Sequence, residues 1–247
     1  MSRRQREDRG RLEEMRAIFE RSGGTYGSPR IHRALRARGH RLSRRRVERL
    51  MRVGGLRARV ARVYRGKAGT HRWFGQHPNH VRRTHATRSN QIWVGDLTSL
   101  AIGDRWWYLA AVLDQYSRRV LAWRLRATRD SRLTRAVVDA ALRRRRPPAG
   151  SIFHRDRGSE YLGASFCQRL AAAGMRQRMT RGGAPDANAH MESFFHSLKA
   201  DVIHGRLFHR VAELRQQRRR DVPYDNYQRL HSALGYQSPV DYERRAA

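Results

Sequence analysis

The chain has 247 residues, 39% hydrophobic and 9% aromatic, enough for one large or two small domains with a buried core. No apolar run approaches the roughly 18 residues of a membrane helix, so none is expected, and the single cysteine, Cys167, excludes an internal disulfide or a cysteine-rich zinc site. A net charge of +33, carried by 54 Lys and Arg against 21 Asp and Glu, predicts a polyanionic partner, with nucleic acid foremost.

The charge is uneven. Residues 1–90 carry 26 basic and 6 acidic side chains, and residues 91–247 carry 28 and 15, so the N-terminal third is the denser footprint. The charged amphipathic start at Met1-Ser-Arg-Arg-Gln-Arg is unlike a secretory leader, and the single cysteine fits a reducing, intracellular, cytoplasmic setting. Helical spacing of Leu12, Met15, Ile18 and Phe19 predicts a helix over 11–21, stopped by Gly23-Gly24. Ser28-Pro29 opens a second helix, with Ile31, Ala34 and Leu35 on one face and Gly39 at its end. Ser43 is the N-cap expected for a third over 44–52, which ends at Gly54-Gly55. Two short helices joined by a tight Gly-containing turn form a helix-turn-helix candidate. The second offers Arg44, Arg45, Arg46 and Arg49 as DNA-binding side chains, as a helix entering a major groove would; the bland alternative is an ordinary basic hairpin. Residues 56–64 read as a short strand or extended arm. Residues 72–90, rich in His, Pro, Asn, Thr and Ser, read as a linker.

Beyond the linker the period changes. Residues 91–102 read as a strand, Gly103-Asp104 as a turn, and Trp106 to Leu113 as a central strand covered on both faces. A third strand is expected over 119–125, then a helix capped by Asp130 or Ser131, a short strand over 151–156, a helix around 164–173 and a strand near 175–179. Three antiparallel strands followed by alternating helices and strands predict a mixed α/β sheet. Trp106, Trp107 and Trp123 are assigned to the core.

Phosphodiester chemistry on magnesium needs carboxylates, and the cation surplus makes the search short. Most acids after residue 90 fall at turns or on charged helical stretches. Asp104, Asp114, Asp130, Asp225, Asp241 and Glu243 are therefore read as capping or solubility residues, and Glu160 as a surface acid. Asp96 lies inside an apolar strand, where an unpaired carboxylate is costly. Asp156 ends an apolar strand and enters a Gly-containing loop. On a helix over 188–202, Met191, Phe194, Phe195, Leu198 and Val202 share one face, while Asn188, Glu192 and Lys199 form a polar stripe along its edge. Lys199 is one of only two lysines, with Lys67, which hints that a compact ammonium is wanted there.

Asp96, Asp156 and Glu192, separated by 59 and then 35 residues, resemble the Asp-Asp-35-Glu signature of transposases and retroviral integrases. More closely, the chain resembles the second-frame transposases of the family-three bacterial insertion sequences. The segments that carry this are Tyr26-Gly-Ser-Pro-Arg-Ile-His32, Trp93-Val-Gly-Asp-Leu-Thr98, Tyr108 to Arg119, His154-Arg-Asp-Arg-Gly-Ser-Glu-Tyr161, Glu192-Ser-Phe-Phe-His-Ser-Leu-Lys199 and Tyr227 to Pro239. One departure stands out: the family's Asp before the Asn-Ala pair is here Ala187, with Asp186 one place earlier.

The resemblance implies three parts: a small all-α helix-turn-helix domain over 1–71, a linker over 72–90, and a ribonuclease-H-like integrase core over 91–247 with a mixed five-stranded sheet and a C-terminal helical tail. It implies a catalytic, metal-binding triad of Asp96, Asp156 and Glu192 holding two Mg²⁺, with Mn²⁺ able to substitute, and DNA positioned by Lys199 and Asn188. The implied activity is DNA end cleavage and 3'-hydroxyl strand transfer of an insertion sequence. The implied partners are element ends and target duplex, a homo-oligomer on DNA, and an upstream-frame helix-turn-helix protein or frameshift fusion. The non-enzyme alternative is a catalytically inactive DNA-binding relative or regulator of transposition. A tyrosine recombinase fits poorly, because the His-x-x-Arg patterns at 80–83 and 85–88 are expected by chance in so Arg-rich a chain.

Overall fold

The computed structural model describes residues 2–58, 86–155, 158–179, 191, 194–195 and 208–246. The expected arm beyond residue 58 and the linker up to residue 85 therefore lie outside the described residues. Helix α1 (Arg3–Arg21) starts well before the expected residue 11. Ser2 and Gln5 form a reciprocal capping box, and Arg9–Glu13 and Arg11–Glu14 pairs support the next turns; neither device leaves an apolar period to read. Helix α2 (Ser28–Ala37) takes Pro29 in its first turn. In α3 (Arg44–Val53), the Ser43 hydroxyl accepts from the Arg46 amide at 3.2 Å. Together they bury Met15, Ile18, Ile31, Leu35, Val47, Leu50 and Met51 in a small core of their own.

The second unit is a five-stranded mixed sheet ordered β3-β2-β1-β4-β5. Strands β1 (Ile92–Ile102), β2 (Arg105–Asp114) and β3 (Val120–Arg126) form an antiparallel meander. After α4 (Ser131–Arg144), strand β4 (Ile152–Arg155) returns parallel to β1; after α5 (Ala164–Ala172), β5 (Arg176–Met179) pairs parallel with β4. Asp130 caps α4, accepting from the Leu133 amide at 3.0 Å. Helices α6 (Val211–Tyr227) and α7 (Pro239–Ala246) complete the chain.

Strand alternation divides the sheet's side chains between two cores. On one face Trp93, Ala110, Val112 and Phe153 pack under α4 and α5 through Leu133, Val137, Val138, Ala141, Phe166 and Leu170. On the other, Val94, Leu100, Leu109, Ala111 and Leu113 pack with Met191, Phe195, Leu214 and Val222. Double coverage accounts for the continuous apolar run of β2. Trp107 and Trp123 lie at the edge of the second core, but Trp106, at the hairpin tip, is 61% exposed and not a core residue.

Of the acids read as capping or solubility residues, Asp114 does cap a turn but is buried, and Glu243 is half-buried and structural. Asp114 is fully buried at the end of β2, where its carboxylate accepts from the amides of Asn90 (2.6 Å), Tyr116 (2.9 Å) and Ser117 (3.2 Å). This ties the 115–119 turn to the entry of β1. Burial raises the Asp114 carboxyl above its usual range, and the three amides offset part of that shift. Glu243 of α7 accepts from the Ser117 hydroxyl (2.7 Å), Arg119 (2.7 Å) and Arg145, and so clasps the C-terminal helix to the same turn and to the end of α4.

The Tyr227–Pro239 segment fastens the two units together. The Leu230 amide donates to the Tyr26 hydroxyl at 2.7 Å, Arg30 Nε donates to the Leu230 carbonyl at 2.7 Å, and the Leu230 side chain packs on the helical core.

Candidate active site

Asp96 sits at the middle of β1, opposite Ala111 of β2. Alternation places it on the face of Val94 and Leu100, above the core that holds Met191 and Phe195. The carboxylate is half-buried, and its Oδ1 accepts from the Leu97 amide at 2.7 Å, which fixes its orientation. The preceding residue faces the opposite core. A Cβ on Gly95 would lie 2.4 Å from Phe153 Cζ, so only glycine lets that ring cross β1 beside the acid.

Strand β4 runs parallel alongside, with Val94 paired to His154 and Gly95 to Arg155. His154 therefore shares the Asp96 face. Burial, with a contribution from the Arg178 charge, lowers its imidazole below the ordinary value and keeps it neutral near pH 7. The chain leaves β4 at Arg155, and Asp156 lies outside the described residues, as do Asn188, Glu192 and Lys199. Met191, next to Glu192 in sequence, is fully buried in the core beneath Asp96. Among the described residues no three His, Cys, Asp or Glu side chains converge as a metal site would require.

Where the chain re-enters the described region it is tightly held. Glu160 is 5% exposed, and its Oε1 accepts from Arg129 Nη2 at 2.8 Å and Nε at 3.2 Å. Its carbonyl accepts from the Thr134 hydroxyl at 2.7 Å. A Cβ on Gly158 would meet the Glu160 carboxylate at 2.6 Å, so the acid folds back against a glycine backbone. Glu160 is thus an anchor for the segment after β4 and not a surface acid. Its partner Arg129 is remote in sequence, so no local pattern reveals the pair; Gly95, a glycine inside an apolar strand, was a readable sign of close packing.

In the helical unit, Arg44, Arg45 and Arg49 of α3 are exposed and Arg46 is half-buried. Arg46 and Arg49 both pair with Asp8 of α1, Arg46 at 2.7 Å, and Arg44 pairs with Glu48 at 2.9 Å. Burial would raise the Asp8 carboxyl, but the guanidiniums of Arg49 and Arg46 outweigh it and lower it. Two of the four arginines thus brace α3 against α1, while Arg45 faces solvent.

Residues 5–64 match the HTH-like domain family, and residues 86–185 and 173–239 match integrase core domain families. The chain is 33% identical over 235 residues to the transposase for insertion sequence element IS904 of Lactococcus lactis, covering 94% of this chain and 92% of that protein. It is 34% identical over 231 residues to transposase InsF for insertion sequence IS3A of Escherichia coli, covering 93% and 80%. Among solved structures, a chain of the simian T-cell lymphotropic virus intasome in complex with PP2A regulatory subunit B56 gamma shares the fold, with a TM-score of 0.53 at 14% identity over 66% of this chain and 57% of that chain. With an HTH-like unit ahead of an integrase core, and about a third of its residues shared with these proteins across more than nine-tenths of its length, the chain belongs to the IS3-type insertion-sequence transposases.

Proposed function

We propose that the chain cleaves DNA at the ends of its own insertion sequence and joins the freed 3'-hydroxyl to target DNA, with Asp96, Asp156 and Glu192 as its metal-holding carboxylates. The observation that carries this is the placement around Asp96. Register pairs Gly95 with Arg155, whose next residue is Asp156, and Met191, whose next residue is Glu192, is buried on the Asp96 face. Both partner acids are therefore covalent neighbours of residues the fold has already brought beside or beneath that strand.

The donor chemistry fits a hard divalent cation: the triad offers carboxylate oxygens alone, which suit Mg²⁺ or Mn²⁺. A pair of such ions, when bound, would lower the pKa of the attacking water or 3'-hydroxyl and stabilise the leaving oxygen. The chain's part is to present Asp96 on a rigid sheet, oriented by the Leu97 amide, with the segment after β4 anchored through Glu160. Asn188 and Lys199 bind the DNA strand near the acids, and α3 reads duplex through Arg44 and Arg45, with Arg46 and Arg49 lending their charge. The working assembly is a homo-oligomer on element ends, joined by an upstream-frame helix-turn-helix product or fused to it.

The test is strand transfer on labelled element ends in Mg²⁺. Asp96→Asn keeps end binding and loses joining. Joining that survives the substitution overturns the assignment, and a wild-type chain that binds ends without cleaving them in Mg²⁺ or Mn²⁺ is a binding regulator instead.

A further inference from the structure

At the β3 edge of the sheet, remote from β4 in the strand order, four guanidinium groups from three parts of the chain line one cavity of about 180 Å³. Arg119 comes from the turn before β3, Arg144 from the end of α4, and Arg218 and Arg219 from α6. Trp123 and Tyr227 form the aromatic walls, and among the described residues no carboxylate lines the cavity. Two of the cations have acid partners behind them: Arg119 shares Glu243 with Arg145, and Arg218 pairs with Asp221. Among the described residues no carboxylate lies within ion-pair distance of Arg144 or Arg219. Arg143 and Arg124 add to the excess, and burial together with the charges of Arg143 and Arg144 lowers the Arg124 guanidinium. A cluster of like charges is costly in a fold unless an anion offsets it.

The walls are prepared. Arg144 Nη1 donates to the Leu121 carbonyl at 3.2 Å, which pins it at the strand edge, and the Arg119 guanidinium lies 5.8 Å over the Tyr227 ring. Tyr227 itself is 52% exposed at the mouth. At the start of β3 the edge is closed to another β-strand, because the Asn226 side chain accepts from the Val120 amide at 2.8 Å and donates to its carbonyl at 2.9 Å, as a pairing strand would.

We infer that this cavity is a second DNA-binding site, which seats backbone phosphates of a duplex at the sheet edge by charge and shape without reading bases. Two guanidiniums held by the fold and two at the rim suit a phosphodiester, and a strand end whose Val120 amide and carbonyl and Leu121 carbonyl are already bonded favours a polyanion over a peptide strand at this cavity. The inference takes from the reading above only that the partner is DNA.

The experiment measures binding of the full chain to a duplex without element ends, free of divalent metal, between about 50 and 200 mM salt. Each phosphate contact contributes about 0.9 to the slope of log affinity against log salt, so Arg144→Ala with Arg219→Ala lowers the slope by about 1.8. Arg132→Ala with Arg135→Ala removes the same charge from exposed positions of α4 and leaves the slope unchanged. An equal loss in both pairs, or none in the first, overturns the site. Inorganic phosphate titrated calorimetrically is the second arm: phosphate binding lost in the cavity pair while the duplex slope is kept means a small-anion site and also overturns the DNA assignment. Thermal unfolding checks folding; if the cavity pair melts early, Arg219→Gln alone, on the exposed face of α6, is read for a loss of about 0.9. No joining is needed, so the outcome is independent of whether Asp96, Asp156 and Glu192 hold metal.

Discussion

Gly95 and Asp96 are consecutive on β1 and face opposite cores, and each is dictated by what lies across from it. Gly95→Ala would drive a methyl group into the Phe153 ring, an overpacking that costs about 1–3 kcal/mol. Chemical denaturation should show that loss, and Phe153→Leu in the same chain should recover part of it; a Gly95→Ala chain as stable as the parent contradicts the packing. Glu160 acts differently. Glu160→Gln keeps the shape but gives up the charge of its bond to Arg129, and we expect joining to fall about tenfold, equivalent to about 1.4 kcal/mol of barrier, with end binding retained. Unchanged joining would make Glu160 an anchor of stability alone. Asp96 could be picked out from sequence because a carboxylate inside an apolar strand is expensive. Glu160 could not, because its burial depends on a guanidinium brought in from the segment before α4.

Among the elements, those with a clear period or cap were legible: the helices opened by Ser28-Pro29, Ser43 and Asp130, and the three strands of the meander, fall where the pattern predicts. The start of α1 was hidden because its stabilising devices are polar, and the exposure of Trp106 because strand periodicity does not say how far the covering helix reaches. The acids of the C-terminal elements were illegible for the same reason as Glu160. Glu243 gives the clearest pH signature among them. Burial pushes its carboxyl up, but the Ser117 hydroxyl and the guanidiniums of Arg119 and Arg145 outweigh that and hold it below the ordinary 4.5. A depressed folded value means that its stabilisation is fully present above about pH 4.5 and drains away as pH falls through the folded value. Glu243→Gln should therefore destabilise the chain by about 2–3 kcal/mol at neutral pH and flatten the acid limb of its stability profile. A parallel acid limb in parent and variant would contradict the clasp. Asp114 has the opposite sign, since its raised carboxyl makes ionisation costly as pH rises.

At the scale of the whole molecule, a helical unit and a sheet unit with separate cores are joined through Tyr26, Arg30 and Leu230. Tyr26→Phe removes the acceptor of the Leu230 amide, and limited proteolysis should then separate the units faster while each keeps its own melting transition; unchanged cleavage would show that the link is immaterial. The family and its sheet were legible because six short motifs lie in one order along the chain. The proposed convergence of Asp96, Asp156 and Glu192 depends on long-range pairing that spacing alone does not encode. Electron paramagnetic resonance of Mn²⁺ bound to the full chain on an element end tests it most directly. Asp96→Asn, Asp156→Asn and Glu192→Gln should each abolish the bound-ion signal while DNA binding persists; any one of the three that leaves the signal intact would show that its carboxylate is no part of a shared metal site.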